Sequence, residues 1–486
     1  MNIGALDLGI LLAYLAGVAI FGVWVGRGAR SATDYMLGGR NLPWWVILFS
    51  IVATETSTVT FLSIPGFAFE RNLTWLQLPL GFLIGRFVVA FLLLPHYFKG
   101  TLFTSYEVLH RRFGSATSRA ASALFILTRS LADGLRLFLS AIVLQEMTGL
   151  DLSWSVLAVG VTTILYTFLG GMRAVLWTDM VQFFIYMAGG VLALGLILRR
   201  LPEGWSQMIS LGEVAGRLQI LDLTLNPAEP YALWAGLVGG IFVTLGSHGV
   251  DQLMVQRYLC ARGLGDARRA LGVSGFVVVG QFALFLIIGV ALYAFYQVFP
   301  PAVAFERADR VFAHFIVKEV PVGLLGLLLG AVFAAAMSTL SSSLNSCATA
   351  AVKDFYLPWK KGEVSPRRQL RITRGFTIAF GLVQIAVGIG GQWVTSSVVS
   401  SVLGIASFTT GIVLGVFFLG MWAPRVGQRA ALVGLLVGLA AMTWVKFATP
   451  LAWPWFALVG SVLTFAAGWG ASLLWPARRG QEVEPR

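Results

Sequence analysis

The chain has 486 residues, 57% of them hydrophobic and 12% charged, where a soluble domain carries roughly 25% charged residues. A water-soluble fold of this length cannot hide so much apolar surface, so the solvent is lipid. The net charge of +13 sits in short connections between apolar runs, where it sets orientation in a bilayer and builds no nucleic-acid surface.

A membrane crossing takes roughly 20 apolar residues. Thirteen stretches qualify: 5–26, 43–69, 73–97, 117–147, 153–172, 176–200, 232–256, 273–298, 322–350, 371–391, 395–422, 430–448 and 455–475. No basic region precedes the first, which makes it a spanning helix and not a cleaved leader. No connection is long enough for a soluble domain, so 1–486 is expected to be one transmembrane domain. The longest connection, 201–231, mixes Pro, Gly and charge and has room for a short amphipathic helix. Cys260 and Cys347 lie far apart and no Cys/His ligand spacing occurs, which excludes a disulfide framework and a metal centre.

With the N-terminus outside and the spans alternating, 24 of the 35 Lys and Arg fall on the inner side and 8 on the outer. The inner set includes Arg30, Arg257, Lys361, Arg478, Arg479 and Arg486. Arg86, Arg129 and Arg136 fall inside spans. This excess predicts N-terminus out, C-terminus in, and an odd number of crossings.

Two spans carry polar clusters. The second reads SIVATETSTVTFLSIPG over 50–66, with hydroxyls, the carboxylate of Glu55 and a Pro-Gly pair. These residues weaken a helix, and a break is tolerated in a membrane only where freed carbonyls line a cavity or bind something. The ninth span reads AAAMSTLSSSLNS over 334–346, with Ala335, Ser338, Thr339 and Ser342 on one face. Neutral hydroxyl and carbonyl oxygens suit a hard monovalent cation, whereas a tight divalent site takes several carboxylates. Small-residue helix packing accounts for the same pattern.

The chain resembles the sodium/solute symporters, a family of sodium-coupled carriers of sugars, proline, pantothenate, monocarboxylates and sialic acid. The resemblance spans nearly the whole chain. It rests on Gly149, Leu152, the small or apolar run 156–162, Tyr166, Thr167, Gly170, Gly171, Met172 and Ala174. Further stretches are DYMLGGR at 34–40, Pro65-Gly66, TSYE at 104–107 with RFG at 112–114, Asp251-Gln252, and QRYL at 256–259. The implied fold is an all-α membrane protein with a peripheral first helix at 5–26. Two inverted five-helix repeats at 43–200 and 232–422 follow, each opening on a discontinuous helix, then extra helices at 430–475. The second break falls in TLGSHGVD at 244–251. Paired interrupted segments point to a midplane site.

The resemblance implies a main sodium site of the carbonyls of Ala53, Thr56 and Ala335 with the hydroxyls of Ser338 and Thr339. A second sodium site would use Asp179, Ser341 and Ser342 with Ser338, although Asp179 at a helix start also serves as an ordinary N-terminal carboxylate. Substrate-cavity candidates are Glu55, Ser57, Thr58, Thr60, Gln77, Arg129, Arg136, Thr244, Ser247 and His248. Arg129, Asp133 and Arg136 share a helix face and total one positive charge. With Arg129 paired to Asp133, Arg136 is left for an anion, so a small organic anion, monocarboxylate or sialic-acid-like, is favoured over a neutral sugar, polyol or amino acid. A fully self-neutralised network is the alternative. An ion channel is the rival class. An enzyme is not expected, since His96, His110, His248 and His314 are scattered. The expected partners are sodium, a small solute and the lipid bilayer, with no nucleic acid. The protein is expected to work as a monomer in the cell inner (plasma) membrane.

Overall fold

The computed structural model describes residues 4–29, 31–301, 305, 307–360, 363–393 and 398–475. Arg30, Lys361, Arg478, Arg479 and Arg486 of the charge count lie outside the described residues. The described residues form twenty α-helices and no β-strand. In chain order they are α1 Ala5–Gly26, α2 Ala32–Leu37, α3 Trp44–Glu55, α4 Thr58–Glu70, α5 Gln77–Val88, α6 Leu94–Tyr97, α7 Tyr106–Phe113, α8 Ser115–Thr148, α9 Leu152–Arg200 and α10 Trp205–Val214. Then follow α11 Gly240–Gly249, α12 Gln252–Leu259, α13 Leu264–Val298, α14 Asp309–Glu319, α15 Leu324–Ala350, α16 Leu357–Trp359, α17 Pro366–Gly390, α18 Val398–Trp422, α19 Gln428–Ala448 and α20 Phe456–Leu474. Nine described segments are long and apolar enough to cross a membrane, ten with the bent pair α3–α4. The short helix α10 occupies the connection 201–231.

Both polar spans break where the residues disfavour a helix. Thr56 and Ser57 take extended backbone between α3 and α4, and the chain bends by 56°. The Thr56 hydroxyl donates back to the Val52 carbonyl at 2.9 Å, competing for the last acceptor of α3. In the other span, Asp251 is extended and caps α12, its carboxylate accepting from the Leu253 N–H at 2.8 Å. The break thus sits at 250–251, at the end of the 244–251 stretch.

The helix α9 runs over 49 residues, but Gly171 interrupts it at φ 59°, ψ −162°, a region open only to glycine. Tyr35 of α2 packs there, its hydroxyl donating to the Thr167 carbonyl at 3.1 Å. A Cβ on Gly171 would stand 2.7 Å from the Tyr35 carbonyl oxygen.

The hydroxyl-rich α15 is buried almost end to end, packed against α9, α8, α1 and α17. Its N-terminus is held from outside. Buried Asp7 of α1 accepts from the N–H groups of Gly323 and Gly326 at 2.7 and 2.8 Å. A carboxylate there meets both the free donors and the helix dipole. The first helix is peripheral in exposure, yet it anchors the helix that carries the polar cluster.

Candidate functional site

The break after α3 and the middle of α15 face each other. Ser338 donates to the Ala53 carbonyl at 2.9 Å and lies 3.2 Å from the Ala335 carbonyl oxygen. Thr339 donates to the Thr54 carbonyl at 3.0 Å. Four of the five expected main-site residues therefore lie at this junction, fully buried. The carbonyl of Thr54 stands opposite Thr339 where that of Thr56 was expected. The Thr56 hydroxyl instead receives a hydrogen bond from Gln281 of α13, which in turn accepts from Tyr186 at 2.8 Å. The chemistry here is a cluster of neutral, hard oxygens on a helix break, which fits a monovalent cation that must enter and leave.

Beside it lies a charged cluster. Asp179 accepts through Oδ2 from Ser50 at 2.7 Å, from Thr54 at 3.2 Å, from Ser342 at 3.3 Å and from Arg257 at 3.2 Å. Arg257 also donates to Thr54, to Ser342 and to Ser50, the last at 3.1 Å. The other carboxylate oxygen, Oδ1, is buried without a partner. Ser341 contacts the Ser338 carbonyl at 3.3 Å. Arg257 corrects the sequence reading: assigned to an inner loop, it is wholly buried and paired. A guanidinium in a low-dielectric interior needs such a carboxylate.

A cavity of about 160 Å3 opens alongside the break of α3–α4. Glu55, Thr60, Arg129, Arg136, Ser247 and His248 line it, together with Thr54, Asp251 and the apolar walls Trp75, Phe82, Phe282 and Trp453. Four expected residues are turned elsewhere. Ser57 begins α4, its carbonyl accepting from Phe61. Thr58 bonds Ser140 of α8 at 2.7 Å. Gln77 donates to the Tyr231 carbonyl at 2.6 Å and so ties down the 219–231 connection. Thr244 packs against Gly85, where α5 and α11 approach too closely for any side chain on the glycine.

The ionic pairing also differs from the expectation. Asp133 takes Arg136 at 2.5 Å, while Arg129 turns to Asp251 at 2.6 Å and stays 3.8 Å from Asp133. The break after α11 brings Asp251 towards α8, within reach of Arg129. Across the cavity, buried Arg86 pairs with Glu55 and lies 3.3 Å from Nε2 of His248. The same Nε2 lies 3.6 Å from Glu55 Oε2, and Nδ1 lies 2.9 Å from the Tyr258 hydroxyl. Three arginines, Arg86, Arg129 and Arg136, thus face three carboxylates, Glu55, Asp133 and Asp251. Arg136 keeps a buried Nε without a partner. Sequence reasoning missed Arg86 as a site residue. Its signal was present, because an arginine inside an apolar span demands a partner.

The family profile described as "Sodium:solute symporter family" matches residues 35–438. The chain belongs to the sodium:solute symporter family. This symporter is 31% identical to the sodium/iodide cotransporter of Homo sapiens, over 92% of this chain and 70% of that protein. It is 28% identical to the sodium/sialic acid symporter of Aliivibrio fischeri, over 96% and 93%. A solved Na+-coupled sialic acid symporter, substrate-bound and outward-open, superposes with a TM-score of 0.89 at 26% identity, covering 98% of this chain and 99% of that one. The symporter is a carrier driven by sodium and not an enzyme, and the channel alternative falls with that assignment.

Proposed function

We propose that the symporter carries a small organic anion inward with sodium by alternating access, and that its substrate is a monocarboxylate. The observation that carries this reading is Arg136: it lines the cavity and gives only one nitrogen, Nη1, to a carboxylate, that of Asp133. A planar guanidinium with spare donors fits a carboxylate. The cavity volume of about 160 Å3 lies below the roughly 300 Å3 at which drug-sized pockets begin, which favours a compact solute over a bulky sugar acid. The relatives named for iodide, sialic acid and monocarboxylates support an anion. The balanced set of three arginines and three carboxylates supports the second reading, a neutral sugar, polyol or amino acid.

Sodium, in this reading, sits between the Ala53 and Ala335 carbonyls and the Ser338 and Thr339 hydroxyls, with the Thr54 carbonyl in the place expected for that of Thr56. A second sodium uses Asp179 Oδ1, the one buried carboxylate oxygen of its cluster without a partner, with Ser341 and Ser342. The chain crosses the membrane thirteen times, with α9 contributing two crossings. At 1.5 Å per residue α9 would run about 74 Å, more than twice the bilayer core, were it not broken at Gly171. The inverted repeats are 43–200 and 232–422, each opening on a broken helix. The N-terminus is outside, the C-terminus inside, and the working unit is a monomer in the plasma membrane.

A thermal-shift panel of monocarboxylates, sialic acid, iodide and neutral sugars, with sodium or choline, tests this reading. A monocarboxylate should stabilise the protein most, and only with sodium. A neutral sugar as the best ligand overturns the anion assignment.

A further inference from the structure

Away from the cavity, α8, the α15–α16 segment and α17 enclose a surface groove of about 850 Å3. We propose that this groove is a binding site for an anionic phospholipid of the cytoplasmic leaflet, with its headgroup on Arg119 and an acyl chain along the apolar floor. Its lining changes along the helices. Arg119 lies near the start of α8 and Tyr356 and Trp359 near the end of the α15–α16 segment, while Ile126 and Leu127 lie about two turns further along α8 and Val383 lies on α17. Tyr and Trp are the side chains of the headgroup region, and Trp359 is 82% exposed. Leu127 and Val383 are 60% and 46% exposed, so the protein leaves this floor uncovered. From Arg119 to Ser130 the α8 wall runs about 16 Å, half of a hydrocarbon core of roughly 30 Å. A headgroup at one end and a single leaflet's depth of apolar wall match a phospholipid and fit neither a soluble anion nor a peptide.

The charge argument singles out an acidic headgroup. Arg119 has no ion pair or hydrogen bond among the described residues. It stands in the second turn of α8, near the positive end of that helix's dipole, where a cation is disfavoured and a phosphate is welcome. Exposed Arg367 and Arg368 open α17, which forms another wall. Basic pockets between spanning helices on the cytoplasmic side suit anionic lipids, and that side follows from the orientation proposed above. The walls also belong to the transport machinery: α8 carries Arg129 and Arg136, and α15 carries Ser338 and Thr339. A lipid seated between them therefore bears on the relative movement of the substrate and sodium helices.

Native mass spectrometry of the purified full chain, exchanged in detergent with equal amounts of phosphatidylglycerol and phosphatidylcholine, reads the site directly. The wild type should retain phosphatidylglycerol severalfold over phosphatidylcholine. Arg119→Gln should bring the two to parity while keeping its sodium-dependent thermal shift. Leu127→Trp, which fills the floor and leaves the charge, should lose the retained lipid and decides the matter if Arg119→Gln does not fold. Parity in the wild type, an undiminished preference in either variant, or a dimer of the chain that excludes lipid from this face would overturn the assignment.

Discussion

Arg136 and Asp179 each meet their neighbours through one nitrogen or oxygen of the charged group. Arg136 meets Asp133 through one nitrogen and keeps Nε unpaired. If that reserve clamps a substrate carboxylate, lysine cannot replace it, since an ammonium lacks the planar fork. Arg136→Lys should raise the apparent substrate constant at least about tenfold, a loss of ~1.4 kcal/mol, with sodium binding alone little changed. Normal transport by the variant would put the clamp elsewhere. Asp179 shares Oδ2 among Ser50, Thr54, Ser342 and Arg257 and keeps Oδ1 free. If Oδ1 holds a second sodium, two sodium ions and a monoanion move one net charge per cycle, and the membrane potential adds about 2.3 kcal/mol per 100 mV. Asp179→Asn should then lower the sodium Hill coefficient towards one and make uptake electroneutral. A wild-type coefficient already at one would assign the positive charge of that cluster to Arg257 alone.

At the scale of helices, the breaks are the working parts. Gly171 turns one long apolar run into two helices, and no other residue tolerates its backbone. Gly171→Ala should cost about 1–3 kcal/mol from backbone strain and more from the clash with Tyr35, read as a lower thermal midpoint and reduced folded yield. An unchanged midpoint would show that the turn is not constrained. This break was visible in the sequence as the gap between the spans 153–172 and 176–200, which holds Arg173, whereas the glycine backbone that makes it was not. The break of α3–α4 was readable from its residues, since Thr, Ser and a carboxylate in an apolar run compete for backbone partners. The cavity lining was half readable. Glu55, Arg129, Arg136 and His248 announced themselves as polar groups inside spans. Gln77, Thr58 and Thr244 look the same in sequence, yet Thr58 and Thr244 are turned to neighbouring helices and Gln77 to the 219–231 connection. Arg257 was misread because a buried arginine near a helix end is indistinguishable from a loop charge until the fold brings Asp179 to it.

For the whole molecule, the proposed sodium oxygens and the proposed substrate cavity share one element. The break of α3–α4 gives its carbonyls to Ser338 and Thr339 on one side and Glu55 to the cavity on the other. Asp251 of the second broken span reaches Arg129 of the cavity, so both breaks border that cavity. Occupancy by either ligand then biases the same hinge, and coupling between them must be reciprocal: whatever factor sodium applies to substrate affinity, substrate applies to sodium affinity. The most direct test of this central claim is an uptake assay in proteoliposomes with sodium or choline outside, run on wild type, Ser338→Ala and Thr339→Ala. The account predicts uptake that collapses when choline replaces sodium, and a raised half-saturating sodium concentration in both variants at normal folded yield. Wild-type uptake that proceeds unchanged in choline would contradict it.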